Sequence, residues 1–127
     1  MADVNRGDRP LSPHVSIYRW PFNAVLSILH RATGVALSIS AILIVWWFLA
    51  AATSEAYFAV ANGFLTSWLG KAILFFSAVG LWFHFTNGIR HLIWDTGSHF
   101  GQRRVFLTGL AGVSATALLT LVTVFIA

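Results

Sequence analysis

Three long stretches without a charged side chain restrict what this sequence can fold into. They run from Ala32 to Ser54, from Ala72 to Ile89 and from Val105 to Ala127. A helix rises 1.5 Å per residue, so about 20 mostly apolar residues cross the hydrocarbon core of a bilayer. The second stretch is the shortest, and it reaches full length if the helix continues through His91 to Trp94. We therefore predict an all-α integral membrane protein, a three-transmembrane-helix bundle.

The whole chain is expected to form a single membrane domain. Its predicted parts are a cytoplasmic arm at 1–20 and transmembrane helices at about 23–52, 65–94 and 105–127. Glu55 to Leu69 joins the first two helices, and Asn62-Gly63 is the expected turn there. In the second connection, Gly97 and Gly101 are expected to interrupt the helix.

The composition is typical of a chain that is covered by lipid. Only 9% of the residues are charged and 57% are hydrophobic, whereas a soluble domain carries about 25% charged residues. The net charge of +4 does not indicate nucleic-acid binding, because the basic residues are spread along the chain and flank apolar stretches. The chain has no cysteine, so histidine and oxygen atoms are the available metal ligands.

The distribution of lysine and arginine predicts the orientation, because cytoplasmic segments of membrane proteins carry an excess of both. Only Lys71 borders the first connection. The arginines are Arg6, Arg9, Arg19 and Arg31 in or near the amino-terminal arm, and Arg90, Arg103 and Arg104 around the second connection. We therefore expect the amino terminus and the second connection to face the cytoplasm.

The amino-terminal segment also predicts the compartment. Met1 to Arg19 lacks the apolar core of a secretory signal. It contains Asp3 and Asp8, and acidic residues argue against a mitochondrial transit peptide. We expect a protein of the bacterial inner membrane.

His84 is the residue that most strongly indicates a function. It lies inside the second apolar stretch, and an ionisable side chain at that depth is costly and suggests a functional site. Gly80 and Gly88 lie one turn away on the same face, which would leave room for a flat macrocycle such as haem. The alternative is a histidine hydrogen-bonded across the bundle, with the glycines allowing close helix packing.

The positions of the histidines predict where a second haem ligand would come from. Six-coordinate iron needs ligands on opposite faces, but His84 and His91 share one helix face about 10 Å apart along the axis. His30 is expected to lie shallower than His84, and the third helix has no histidine. If the haem has two histidine ligands, the second therefore comes from another chain.

A second polar group lies at the start of the first helix and consists of Ser27, His30, Arg31 and Gly34. Ser27 and Arg31 are four residues apart and share a face. The structural interpretation is that Arg31 extends its charge to the membrane surface. The functional alternative is that the hydroxyl and the guanidinium hydrogen-bond a quinone carbonyl or a haem propionate.

A third polar group lies at the end of the second helix. Arg90 and Asp95 could form a solvated pair, and Trp94 is typical of the aromatic belt at a membrane surface. Alternatively, Arg90 and His91 could meet the anionic propionates of a haem held by His84.

Two long segments resemble the signatures of succinate dehydrogenase cytochrome b subunits. The first combines RPLSPH at 9–14 with SILHRATG at 27–34, and the second is HFTNGIRHLIWDTG at 84–97. Both occur in the expected order and on the expected helices. The resemblance covers nearly the whole chain.

The resemblance implies a subunit of respiratory complex II, which carries electrons from succinate oxidation to ubiquinone. This chain would pair with a second small haem-binding membrane subunit and anchor a flavoprotein and an iron–sulfur subunit. Haem b would lie between the membrane subunits, with His84 as one axial ligand and the partner subunit supplying the other. Ser27 and Arg31 would line the ubiquinone site, and His30 would lie near the haem propionates.

A rival interpretation is a purely structural anchor that holds neither haem nor quinone. The same anchor could also serve fumarate reduction in the reverse direction. In each case we expect no catalysis by the chain alone, because the sequence shows no carboxylate pair, nucleophile or flavin site.

The arginine distribution generates a prediction about topology. A fused reporter enzyme that is active only outside the cytoplasm should be active after Ala127 and silent after Gly101. Measuring reporter activity in intact cells checks this, and the reverse pattern would overturn the orientation.

Overall fold

The computed structural model describes residues 17–126, so the segment RPLSPH and most of the predicted arm lie outside the described residues. Its helices are α1 (Phe22–Thr53), α2 (Glu55–Thr66), α3 (Trp68–Asp95) and α4 (Gln102–Ile126). Helices α1, α3 and α4 are each long and apolar enough to cross a membrane. The prediction of an all-α protein with three transmembrane helices is confirmed.

The three long helices exceed the thickness of the hydrocarbon core. With 32 residues, α1 is about 48 Å long, whereas the core is about 30 Å thick. The shortest of the three, α4, has 25 residues and is about 38 Å long. Each helix therefore spans the core with length left for tilt or for the polar headgroup region.

The first connection is helical, and the prediction of a turn at Asn62-Gly63 is wrong because both residues lie within α2. The chain turns at Ser54 and Ser67, which have extended backbone conformations. Each serine hydroxyl accepts a hydrogen bond of 3.2 Å from the backbone N–H three residues later, which is the usual way to cap the start of a helix. The helix predicted to start at about residue 65 therefore begins at Trp68.

Helix α2 is attached to the end of α1 through indole donors. Trp46 Nε1 donates to the Tyr57 hydroxyl at 2.8 Å, and Trp47 Nε1 donates to Asn62 Oδ1 at 3.3 Å. Tryptophan and tyrosine are enriched at membrane surfaces because their rings are apolar and their tips are polar. Asn62 is therefore a hydrogen-bond acceptor inside a short helix.

Hydroxyl side chains join the long helices to each other. Ser40 of α1 and Ser77 of α3 are 2.8 Å apart, and Thr86 of α3 and Thr116 of α4 are 3.0 Å apart. Such bonds between transmembrane helices contribute about 0.6 kcal/mol each. They fix the register of α3 against both neighbours.

Most large apolar side chains point outward. The buried apolar residues are Leu26, Ala50, Ala61, Leu65 and Phe83. Exposed apolar side chains cover the long helices on the outside, for example Val35, Phe76 and Leu118. Because water disfavours so much apolar surface, lipid or partner helices must cover it, and the chain is a multi-pass membrane protein.

Candidate functional site

Three histidines from α1 and α3 form a stack. The ring centroids of His30 and His84 are 3.9 Å apart with 12° between the planes. The centroids of His30 and His91 are 4.8 Å apart with 24° between the planes. Two rings cannot occupy the same face of a third at these distances, so the His30 ring lies between the other two.

The stack determines how many iron ligands this chain can offer. Axial ligands approach an iron from opposite sides with their nitrogen atoms directed at it, whereas His30 and His84 face each other at 3.9 Å. No iron fits between rings in that arrangement. Within residues 17–126, no group of three histidine or acidic side chains is arranged to hold a metal ion. A haem here would therefore take one ligand from the stack.

The orientation of the His84 ring suits a metal ligand. Its Nδ1 lies 3.0 Å from the backbone carbonyl oxygen of His30 and 3.3 Å from Thr33 Oγ1. A carbonyl oxygen only accepts, so Nδ1 carries the proton in this contact and Nε2 keeps its lone pair. Metal-binding histidines commonly donate their second N–H to a carbonyl in this way.

Gly34 allows α1 to approach the His84 ring closely. A Cβ atom there would lie 3.0 Å from Cε1 of His84, so the ring would have to shift by a few tenths of an ångström. On α3, a Cβ on Gly80 would lie 3.8 Å from Thr33, and a Cβ on Gly88 would lie 3.9 Å from His30. A Cβ would make only an ordinary van der Waals contact at Gly80 and at Gly88, so close helix packing does not require glycine at either position.

His30 and His91 differ in how their nitrogen atoms are used. His91 Nδ1 lies 2.7 Å from the carbonyl oxygen of Asn87. His30 Nδ1 is buried and has no hydrogen-bond partner among the described residues. A buried nitrogen without a partner is costly, so a bound group that hydrogen-bonds to His30 Nδ1 would relieve that cost.

Ser27 and Arg31 lie near the histidine stack on α1. Ser27 is half-buried and Arg31 is exposed. Neither side chain hydrogen-bonds to another residue in the described part of the chain. His30 lies between them in sequence, so both side chains lie within about one helical turn of the stack.

Arg90 is the buried cation of the structure. Only 5% of its surface is exposed. Its Nε donates to Thr108 Oγ1 at 3.2 Å, and one terminal nitrogen donates to Asn23 Oδ1 at 3.0 Å and to the Val105 carbonyl at 2.8 Å. The other terminal nitrogen donates to Asn87 Oδ1 at 3.4 Å.

The hydrogen bonds of Arg90 exclude the solvated pair with Asp95, whereas the contact with haem propionates stays a prediction. Its donors serve neutral acceptors on α1, α3 and α4, and no hydrogen bond joins it to Asp95 within residues 17–126. Its guanidinium carbon lies 4.3 Å from the Trp94 ring centroid, which adds a cation–π contact. Arg90 therefore connects three helices at one end of the bundle, a role that sequence spacing does not reveal.

Comparison with known proteins identifies a family that matches nearly the whole chain. The family described as succinate dehydrogenase/fumarate reductase transmembrane subunit matches residues 5–125. The succinate dehydrogenase cytochrome b556 subunit of Paracoccus denitrificans is 45% identical over 129 residues, which cover 99% of each chain. The cytochrome b556 subunit of Rickettsia bellii is 39% identical over 113 residues, with 89% of this chain and 88% of the relative covered. A mitochondrial cytochrome b560 subunit of Mus musculus is 37% identical over 117 residues, with 84% and 64% covered.

The fold and the histidine stack define a small helical membrane protein with three stacked imidazoles between two of its helices. The family match extends over nearly the whole chain. The chain belongs to the family of succinate dehydrogenase/fumarate reductase transmembrane subunits.

The Arg90 network generates a stability prediction. Arg90→Lys should lower the free energy of unfolding by roughly 3 kcal/mol, because hydrogen bonds to a charged group are strong and lysine cannot reproduce the planar fork. Arg103→Lys is the matched control, since Arg103 is exposed, and it should change stability by less than about 0.5 kcal/mol. Denaturant unfolding in detergent micelles measures both, and equal stability of the two variants would contradict the account.

Proposed function

We propose that this chain is the haem b- and ubiquinone-binding membrane anchor subunit of a succinate dehydrogenase. In that assembly it helps to carry electrons from succinate oxidation into the quinone pool of the membrane. The observation that carries the proposal is the geometry of His84. Its Nδ1 is committed to the His30 carbonyl at 3.0 Å, which leaves Nε2 as a ligand within an apolar helix bundle.

The residues around His84 fit a haem. The bound group would supply an iron that accepts and releases single electrons. His84 would hold it as an axial ligand, and the bond to the His30 carbonyl fixes the tautomer and the direction of Nε2. The unpartnered Nδ1 of His30 and the neighbouring His91 are suited to meet the anionic propionates.

The second axial ligand is proposed to come from another membrane subunit. The stacked arrangement of His30 on His84 prevents the two from holding opposite faces of one iron. Apolar side chains cover the outside of α1 and α3, which provides a surface for partner helices. The further partners would be an iron–sulfur subunit and a flavoprotein, in the inner membrane of a bacterium with the amino terminus in the cytoplasm.

Ser27 and Arg31 are proposed to bind ubiquinone. Reduction of a quinone adds two electrons and two protons, and negative charge develops on the carbonyl oxygens. A fixed cation near one carbonyl stabilises that charge, with more effect where water is excluded. Arginine remains charged beside an apolar surface and orients an acceptor with its planar fork. The serine hydroxyl can donate to the other carbonyl or hold a water molecule.

Replacing His84 tests the haem proposal. His84→Leu should remove the b-type haem absorption of the purified complex or convert it to a high-spin form, because the axial nitrogen is lost. His99→Asn is the control, since His99 lies in the second connection with φ +64 and asparagine tolerates that conformation. The measurement is the optical spectrum of the dithionite-reduced complex.

A second pair of variants leaves His84 itself unaltered and changes a glycine instead. Gly34→Ala should lower haem occupancy, because the new methyl group would press on Cε1 of His84. Gly63→Ala is its matched control, since nothing lies within 4 Å of a Cβ at that position. A b-type band that is unchanged in both His84→Leu and Gly34→Ala would refute the assignment. A wild-type complex without any b-type band would favour the purely structural anchor.

Replacing Ser27 and Arg31 tests the quinone proposal. Ser27→Ala and Arg31→Leu should each lower quinone reductase activity by about a hundredfold, as expected when a donor directed at developing charge is lost. Succinate oxidation by a dye that accepts electrons upstream of quinone should change little. The ratio of the two rates is the measurement.

The controls for this experiment separate chemistry from assembly. Ser114→Ala and Lys71→Leu alter exposed residues away from Ser27 and Arg31, and both should keep the wild-type ratio. Equal loss of dye and quinone activity would indicate failed assembly and argue against a specific role. If Arg31→Leu retained both activities, the role of Arg31 would be limited to anchoring α1 at the membrane surface.

A further inference from the structure

A groove with a volume of about 350 Å³ lies between α3 and α4. Trp94 and His99 border one end, and the small residues Ala111, Gly112 and Ala115 form the wall on α4. His84 is not among its lining residues, so this groove is separate from the histidine stack. Its volume falls in the range of about 300–1,000 Å³ that is usual for ligand sites.

The groove is elongated and mostly apolar. On α3 its lining extends from Thr86 to Trp94, which corresponds to about 12 Å along the helix. It leads from the end of the bundle, where the second connection lies, toward the interior of the membrane. This shape fits part of an acyl chain with its headgroup at the end lined by Arg90, Trp94 and His99.

The polar end of the groove carries excess positive charge. Arg90 lines the groove and bonds to neutral groups, so no acidic side chain in the described part of the chain offsets its charge through a hydrogen bond. Arg103 and Arg104 are exposed on the first turn of α4. Asp95 is the only acidic residue between positions 90 and 104. An anion is therefore favoured at this end.

The second connection holds His99 at the same end. His99 adopts φ +64, a conformation that residues other than glycine rarely use. Its Nδ1 lies 2.9 Å from Ser98 Oγ, which restrains the imidazole where it lines the groove. The imidazole of His99 thus lines the same groove as Arg90 and Trp94.

We propose that this groove binds one anionic phospholipid. The phosphate would lie between His99 and the first turn of α4, and one acyl chain would lie along Ala111, Gly112 and Ala115. Basic pockets between transmembrane helices on the cytoplasmic side are suited to anionic lipid headgroups. Each basic side chain near the phosphate strengthens binding by about fivefold. The lipid would also cover apolar surface where α3 and α4 meet.

A variant that fills the groove tests this proposal without altering Arg90. Ala111 is exposed and lines the groove, so Ala111→Leu would occupy the space of the acyl chain. Ala117→Leu is the matched control, because Ala117 is exposed on the same helix and does not line the groove. Native mass spectrometry of the purified assembly, titrated with phosphatidylglycerol, phosphatidylcholine or inorganic phosphate, measures binding.

The expected result is one tightly held phosphatidylglycerol, bound at least about tenfold more strongly than phosphatidylcholine. Ala111→Leu should weaken that binding about tenfold or more, while Ala117→Leu leaves it unchanged. Inorganic phosphate should not displace the lipid, because it lacks the acyl chain. Equal binding in both variants, or equal binding of the two lipids, would overturn the proposal. A photo-crosslink from position 111 to a protein chain would also overturn it, because a partner helix would then fill the groove.

Discussion

The hydrogen bond between His84 and the backbone carbonyl of His30 is the contact on which the site depends. It joins α1 to α3 at 3.0 Å and determines which imidazole nitrogen is available to a metal. The close approach that this bond needs is possible because position 34 is a glycine. This hydrogen bond thus links the packing of α1 against α3 to the direction in which Nε2 of His84 points. A small change in that packing is therefore expected to alter the chemistry of the site.

Several polar side chains inside the bundle bond to neutral partners. Arg90 bonds to side-chain and backbone oxygens on three helices, and Thr86 pairs with Thr116. An unsatisfied polar group in hydrocarbon is costly, so such bonds hold α1, α3 and α4 in one arrangement. Two buried side-chain atoms have no partner among the described residues, His30 Nδ1 and Thr120 Oγ1. His30 Nδ1 lies in the histidine stack, where our proposal places a bound group.

The sequence predicts the membrane-spanning architecture well, because uncharged stretches of this length have few alternatives in a bilayer. It also predicts a functional role for His84, whose depth is unusual for an ionisable residue. The prediction of a turn at Asn62-Gly63 is wrong because asparagine and glycine indicate turns only statistically. Here both residues lie within a helix, and Trp47 donates a hydrogen bond to Asn62. The hydrogen bonds of Arg90 and the contact at Gly34 depend on how separate helices pack. The spacing of residues along a single helix carries no information about that packing.

A cryo-EM structure of the purified complex would test the central claim most directly. The account predicts that the haem iron is bonded to Nε2 of His84, while Nδ1 still donates to the His30 carbonyl and the second axial ligand comes from another chain. Iron bonded to His30 or His91 instead, or a complete membrane assembly without haem, would contradict it.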